Sequence, residues 1–95
     1  MSDIYRREMT ITHKDFLRLL PKALNGFSFH TIDDHIVATE DNKTIKIRLS
    51  AEKSRQLGVF TLPITDVSVE LQNFTAEDAD KFMSRFTLAY QKGGG

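Results

Sequence analysis

The sequence predicts an α+β domain: a helix, a five-stranded antiparallel meander and a second helix, with both helices on one face of the sheet. Three observations carry this. Two stretches near the ends repeat apolar residues at helical spacing with caps in front of them. Between them, apolar and polar residues alternate with a period of two, which gives strands with one dry and one wet face. Asp-rich and Pro-containing breaks divide the alternating stretch into strand-length pieces.

The first helix lies in "ITHKDFLRLLPKALNG". Thr12 is a good N-cap and Asp15 sits three residues on. Ile11 and Phe16 occupy the two places of a hydrophobic staple. Phe16, Leu19, Leu20, Ala23 and Leu24 form one apolar stripe, and Asn25-Gly26 is a stop. Pro21 removes a helical hydrogen bond and crowds the carbonyl four residues back, so a kink, or an end near Leu20, is expected.

The meander starts with "FSFHTI" and "IVATE", on either side of Asp33-Asp34-His35. "TIKIRLS" follows Asp41-Asn42. If Asp41-Asn42 is a two-residue loop, Ala38 faces Ile45 and Ile36 faces Ile47. That puts Ile36, Ala38, Ile45, Ile47 and Leu49 on the dry face. "SAEKSRQ" is read as a connector in which Ser50 caps a single helical turn. "LGVFTL" is the fourth strand, broken by Pro63. "DVSVELQNF" is the fifth, with Val67, Val69 and Leu71 inward. Thr75 caps the last helix, and Glu77, Asp78 and Asp80 complement the positive end of its dipole. Its apolar stripe is Ala79, Phe82, Met83, Phe86 and Tyr90, and Gly93 ends it.

The 95 residues suit one domain, expected over residues 11–92. Residues 1–10 are polar and without a clear period, either a flexible segment or a strand added at the sheet edge. Residues 93–95 are expected as a flexible glycine tail. Thirteen Lys and Arg balance thirteen Asp and Glu, so overall charge steers the chain to neither nucleic acid nor anionic lipid. With no Cys, disulfides, thiol catalysis and thiolate metal sites are excluded. The charged start is not a secretory signal, and no stretch is long and apolar enough for a membrane span. These features predict a soluble, cytoplasmic protein.

His30 and His35 flank Asp33 and Asp34. As a two-residue loop, Asp33-Asp34 sets His35 opposite Ile32 and not His30, which favours a plain turn over a metal site. His13 has no partner in sequence and is expected to be solvated. No nucleophile elbow, phosphate loop or dinucleotide fingerprint is present, so neither enzymatic activity nor a cofactor is expected.

Lys43, Lys46, Arg48, Lys53 and Arg55 form a basic run on or near the third strand, the pattern of a phosphate-binding face. A nucleic-acid binder using that face would act through Lys46, Arg48, Lys53 and Arg55, and helix, meander, helix resembles the order of double-stranded-RNA-binding domains. Those domains carry lysines at the start of the last helix, where this chain has the acidic "TAEDAD". The closing Gly93-Gly94-Gly95 resembles the end of ubiquitin-like carriers, whose side-chain-free tail threads into an adenylating site. That resemblance implies carrier chemistry through Gly94 and Gly95. Carriers reach the tail from a strand, whereas a helix is expected here. Leu88 lies off the apolar stripe, beside Lys81, Ser84 and Arg85, and is a candidate contact residue. The leading expectation is a small accessory protein that binds a protein partner through a sheet face or the surface of the last helix.

Overall fold

The structure is a computed structural model that describes residues 2–33 and 35–94. Its elements are β1 (Ser2–Met9), α1 (His13–Leu24), β2 (Ser28–Ile32), β3 (His35–Glu40), β4 (Lys43–Leu49), β5 (Lys53–Leu57), β6 (Phe60–Gln72) and α2 (Ala76–Gly94). The fold is α+β with an antiparallel sheet and two helices packed against it. The sheet has six strands, one more than expected, in the order β1-β6-β4-β3-β2, with β5 also paired to β6.

The cap signals act as the sequence implies. Thr12 Oγ1 accepts from the Asp15 amide at 3.1 Å, and Thr75 Oγ1 from the Asp78 amide at 3.1 Å. Ile11 is buried at its staple position. α1 does not end near Leu20. It runs on to Leu24, and the Pro21 carbonyl accepts from the amide of Asn25, whose φ of 40° closes the helix. Pro21 and Leu17, four residues apart, are both exposed, so the hydrogen bond that Pro21 removes is lost on the solvent side of the helix. His13 is not free in solvent either: its Nε2 donates to the Ser50 carbonyl at 2.7 Å.

The hairpins follow the loop arithmetic. Ala38 pairs with Ile45, Ile36 with Ile47, and Ile32 with His35. The alternation then builds the core. Ile36, Ala38, Ile45, Ile47, Val67, Val69 and Leu71 are buried against Phe16, Leu20 and Leu24 of α1 and Phe82, Met83 and Phe86 of α2. Both helical stripes therefore meet the dry face of the sheet. Tyr90 ties the helices together. Its ring stacks on Phe16 at a centroid distance of 4.8 Å, and its hydroxyl donates to the Phe16 carbonyl at 2.9 Å.

Of the two readings of residues 1–10, the edge strand is the one that forms: β1 pairs along its whole length with β6. Three parts depart from the expected order. "SAEKSRQ" contains β5 and no helical turn, because Lys53–Leu57 pair with Ile64–Phe60. β6 runs unbroken through Pro63 and replaces the two strands expected on either side of it. α2 likewise passes its expected end at Gly93 and continues to Gly94.

The partners of β6 explain its length. β4 pairs with it as far as Leu49–Val67, and β5 resumes at Lys53–Ile64. Four steps on one strand oppose three on the other, so residues 50–52 hold one extra residue, a β-bulge. Ser50 fills the gap: its amide donates to the Asp66 carbonyl and its Oγ accepts from the Asp66 amide, each at 2.9 Å. Beyond Thr65, β6 leaves β1 and pairs only with β5. Pro63 is tolerated in that two-stranded part. Counting outward from the Leu57–Phe60 pair, its nitrogen points to the open edge, where no ladder bond is lost. At about 3.3 Å per residue, a 13-residue strand spans roughly 43 Å, close to the 47 Å long axis of the molecule.

Candidate binding surface

β5 and the first five residues of β6 form an arm that projects past the helix-covered sheet. All five β5 residues are exposed. Gly58 and Val59 are the two loop residues, and only the first has a positive φ, +61°. That is the type II′ pattern, which matches the twist of the strands it joins and takes Gly in its first place. The tip is apolar: Leu57 is 53% exposed, Phe60 68% and Val59 92%. Leu57 and Phe60 are paired and share a face, and by alternation Leu62 and Ile64 continue it toward the sheet. Ile64 is buried but outside the contiguous core.

Two ion pairs hold the arm's base. Lys53 Nζ lies 2.6 Å from Asp66 Oδ2, and Arg55 reaches Glu8 Oε1 of β1 at 2.9 Å. The hydrogen bond that Lys53 donates to Asp66, then the charge of Asp66, raises the Lys53 pKa. A two-stranded ribbon is marginal in water by itself. This one continues the unbroken β6 strand of the sheet, and the exposed ion pairs and the bulge tie its base.

The basic run is divided by the fold. Lys43 contacts Asp78 at 3.2 Å and lies 5.4 Å from the centre of the Phe74 ring. That hydrogen bond lowers the Asp78 pKa. Lys53 and Arg55 are held by Asp66 and Glu8. Lys46 and Arg48 lie on the outer sheet face, where Lys46 pairs across strands with Val37 and Glu70, and Arg48 with His35 and Ser68. The face that carries these cations also carries Glu8, Asp66 and Glu70, so its charge is mixed.

His30 pairs with Val37 and His35 with Ile32, so the two imidazoles share the outer face in different rows. Asp34 lies outside the described residues. Among the described residues no three His, Asp or Glu side chains converge as metal ligands. Leu88 is 48% exposed on the flank of α2 beside β1, where it lines a groove with Tyr5, Arg7, Met83 and Thr87. A second cavity of about 300 Å³ between β1 and α2 is lined by Arg7, Glu8, Met9, Phe86 and Tyr90, among others. The Tyr90 hydroxyl is bonded to the Phe16 carbonyl, and burial raises its pKa. Gly94 is helical, and Gly95 lies outside the described residues.

The arm is the part of the surface that sequence reasoning missed. Gly58 was the available signal, as the first residue of a two-residue loop. It is hidden by Leu57, Val59 and Phe60, which read as one continuous strand. No helix among the described residues is long and apolar enough to cross a membrane. No family model matches the chain, and no curated protein or solved structure shows detectable similarity to it.

Proposed function

We propose that the protein is a small non-enzymatic binding module that inserts the apolar tip of its β5–β6 arm into an apolar pocket of a partner protein. The supporting observation is the concentration of Leu57, Val59 and Phe60 at the end of an arm that adds nothing to the contiguous core. Exposed Leu and Val residues scattered singly are ordinary, but three large apolar side chains at one tip mark a contact site. Rigid aromatic and branched anchors entering a pocket supply most of the energy of many interfaces. The continuity of β6 from the sheet into the arm preorganises the tip, which lowers the ordering cost of binding.

A photo-crosslinking residue at Val59 tests this in cells of the source organism. The expected result is one discrete protein adduct that is absent when the probe is at Lys22 of α1 and lost when Leu57 and Phe60 are both Ser. Adducts to lipid, or a protein adduct that survives the double substitution, would overturn the proposal.

A further inference from the structure

β1 ends the sheet: it pairs with β6 on one side, and no described strand lies on the other. Eight residues long, it offers a row of unsatisfied backbone donors and acceptors to another strand. The identity of that strand can be read from the order "SDIYRREM". Asp3 and Arg7 stand two residues either side of Tyr5, and alternation puts all three on the helix-bearing face. Asp3 and Arg7 are exposed, and Tyr5 is half-buried against the core.

We infer that β1 pairs antiparallel with β1 of a second copy of this chain, about a two-fold axis through Tyr5. In that register Tyr5 opposes Tyr5 of the other copy, and each Asp3 opposes the other copy's Arg7. The two opposite-charge pairs come from one surface, as an isologous interface requires. Residues 2–8 of each strand are matched, and the antiparallel pattern gives roughly six to eight new backbone hydrogen bonds. Registers centred on Arg6 or Arg7 set an arginine against itself. The register centred on Ile4 leaves Asp3 opposite Tyr5.

The groove beside β1 supports the same arrangement. Tyr5, Met83 and Leu88, interleaved with Arg7, Asp80, Ser84, Thr87 and Gln91, form a mixed strip along the flank of α2 next to the open edge. A register that keeps the helices of both copies on one face brings the two strips together and covers Leu88. A register shifted by one residue turns one copy over and leaves both strips in water. The other outer strand, β2, is shorter, with five residues, and "SFHTI" has no charge pair to match across a two-fold. Because the arm extends β6 past the Met9 end of β1, the two arms of the dimer project in opposite directions.

Sedimentation equilibrium of the full chain, from about 1 to 300 μM, tests the inference, since micromolar dimers are resolved in that range. The wild type is expected to dimerise reversibly. Arg7→Asp and Asp3→Arg should each raise the dimer Kd by about 10-fold or more, because like charges then oppose each other twice. The double variant D3R/R7D should restore it. A monomer at every concentration, or a dimer indifferent to both single swaps, would overturn the inference. A second variant reads the register directly. The chain has no Cys, and residue 5 is the one β1 position that meets its own copy at a strand-pair distance of about 5 Å, within disulfide reach. Tyr5→Cys should therefore oxidise to a covalent dimer much faster than Lys22→Cys. Equal rates would count against the two-fold.

Discussion

Leu57 and Phe60 face each other across the Gly58-Val59 turn, at the far end of a ribbon that adds nothing to the contiguous core. A pair of large apolar side chains in that place stabilises the fold very little. Replacing Leu57, Val59 and Phe60 by Ser should change unfolding free energy by about 0.5 kcal/mol or less per site, as for other surface substitutions. Denaturant unfolding checks this. A loss of several kcal/mol would mean that the tip folds back onto the body.

Gly58→Val should disorder the arm and spare the domain. At φ +61° a Cβ is strained by about 1–2 kcal/mol even though no atom lies within 4 Å of it. Hydrogen exchange is expected to accelerate at the amides of residues 55–62 and to stay unchanged at Ile45, Ile47 and Val69 in the core. Gly58→Asn should do less, since Asn accepts the left-handed region more readily.

Glu8→Gln and Asp66→Asn remove the carboxylates that hold Arg55 and Lys53. Both pairs are exposed, so each substitution should leave global stability nearly unchanged. The readout is the arm's orientation, followed by the distance between spin labels at Gln56 and Lys22. A broader distance distribution is expected for the double variant than for the wild type.

Tyr90 gives the fold an alkaline limit. Burial raises its pKa above the ordinary 10.0, so the folded state keeps a proton that the unfolded chain releases. The stability this represents is fully present below pH 10 and is lost as pH rises from there toward the folded value. Tyr90→Phe should remove that alkaline loss. At neutral pH it should cost about 0.5–1.5 kcal/mol, because the Phe16 carbonyl loses one of its two donors and keeps the helical amide four residues on. Urea unfolding of both proteins at neutral pH and above pH 10 measures both effects.

The central part of the fold was legible in the sequence because it is built by burial. Ile36, Ala38, Ile45 and Ile47 alternate because one face is dry, and their register follows from the Asp41-Asn42 loop. The caps at Thr12 and Thr75 were legible for a similar reason, since each acts within four residues. β1 was legible only as one of two readings, and β5 not at all, because an edge strand or an arm buries little and imposes no apolar period. Pro63 misled because its cost depends on whether the open edge lies beside it, and only the pairing of β6 shows that. The basic run from Lys43 to Arg55 looked continuous. The bulge at residues 50–52 and the carboxylates Glu8, Asp66 and Asp78 divide it, and Glu8 is distant in sequence.

The tip substitution that most directly tests the account is Phe60→Ser, assayed against the protein that crosslinks to Val59. Its Kd for the wild-type chain and for the variant can be compared by calorimetry at one salt concentration. The account predicts a Kd at least about 10- to 100-fold weaker for the variant, the loss of a buried aromatic anchor, with the fold intact. An unchanged Kd would contradict it and move the contact from the arm to another face of the molecule.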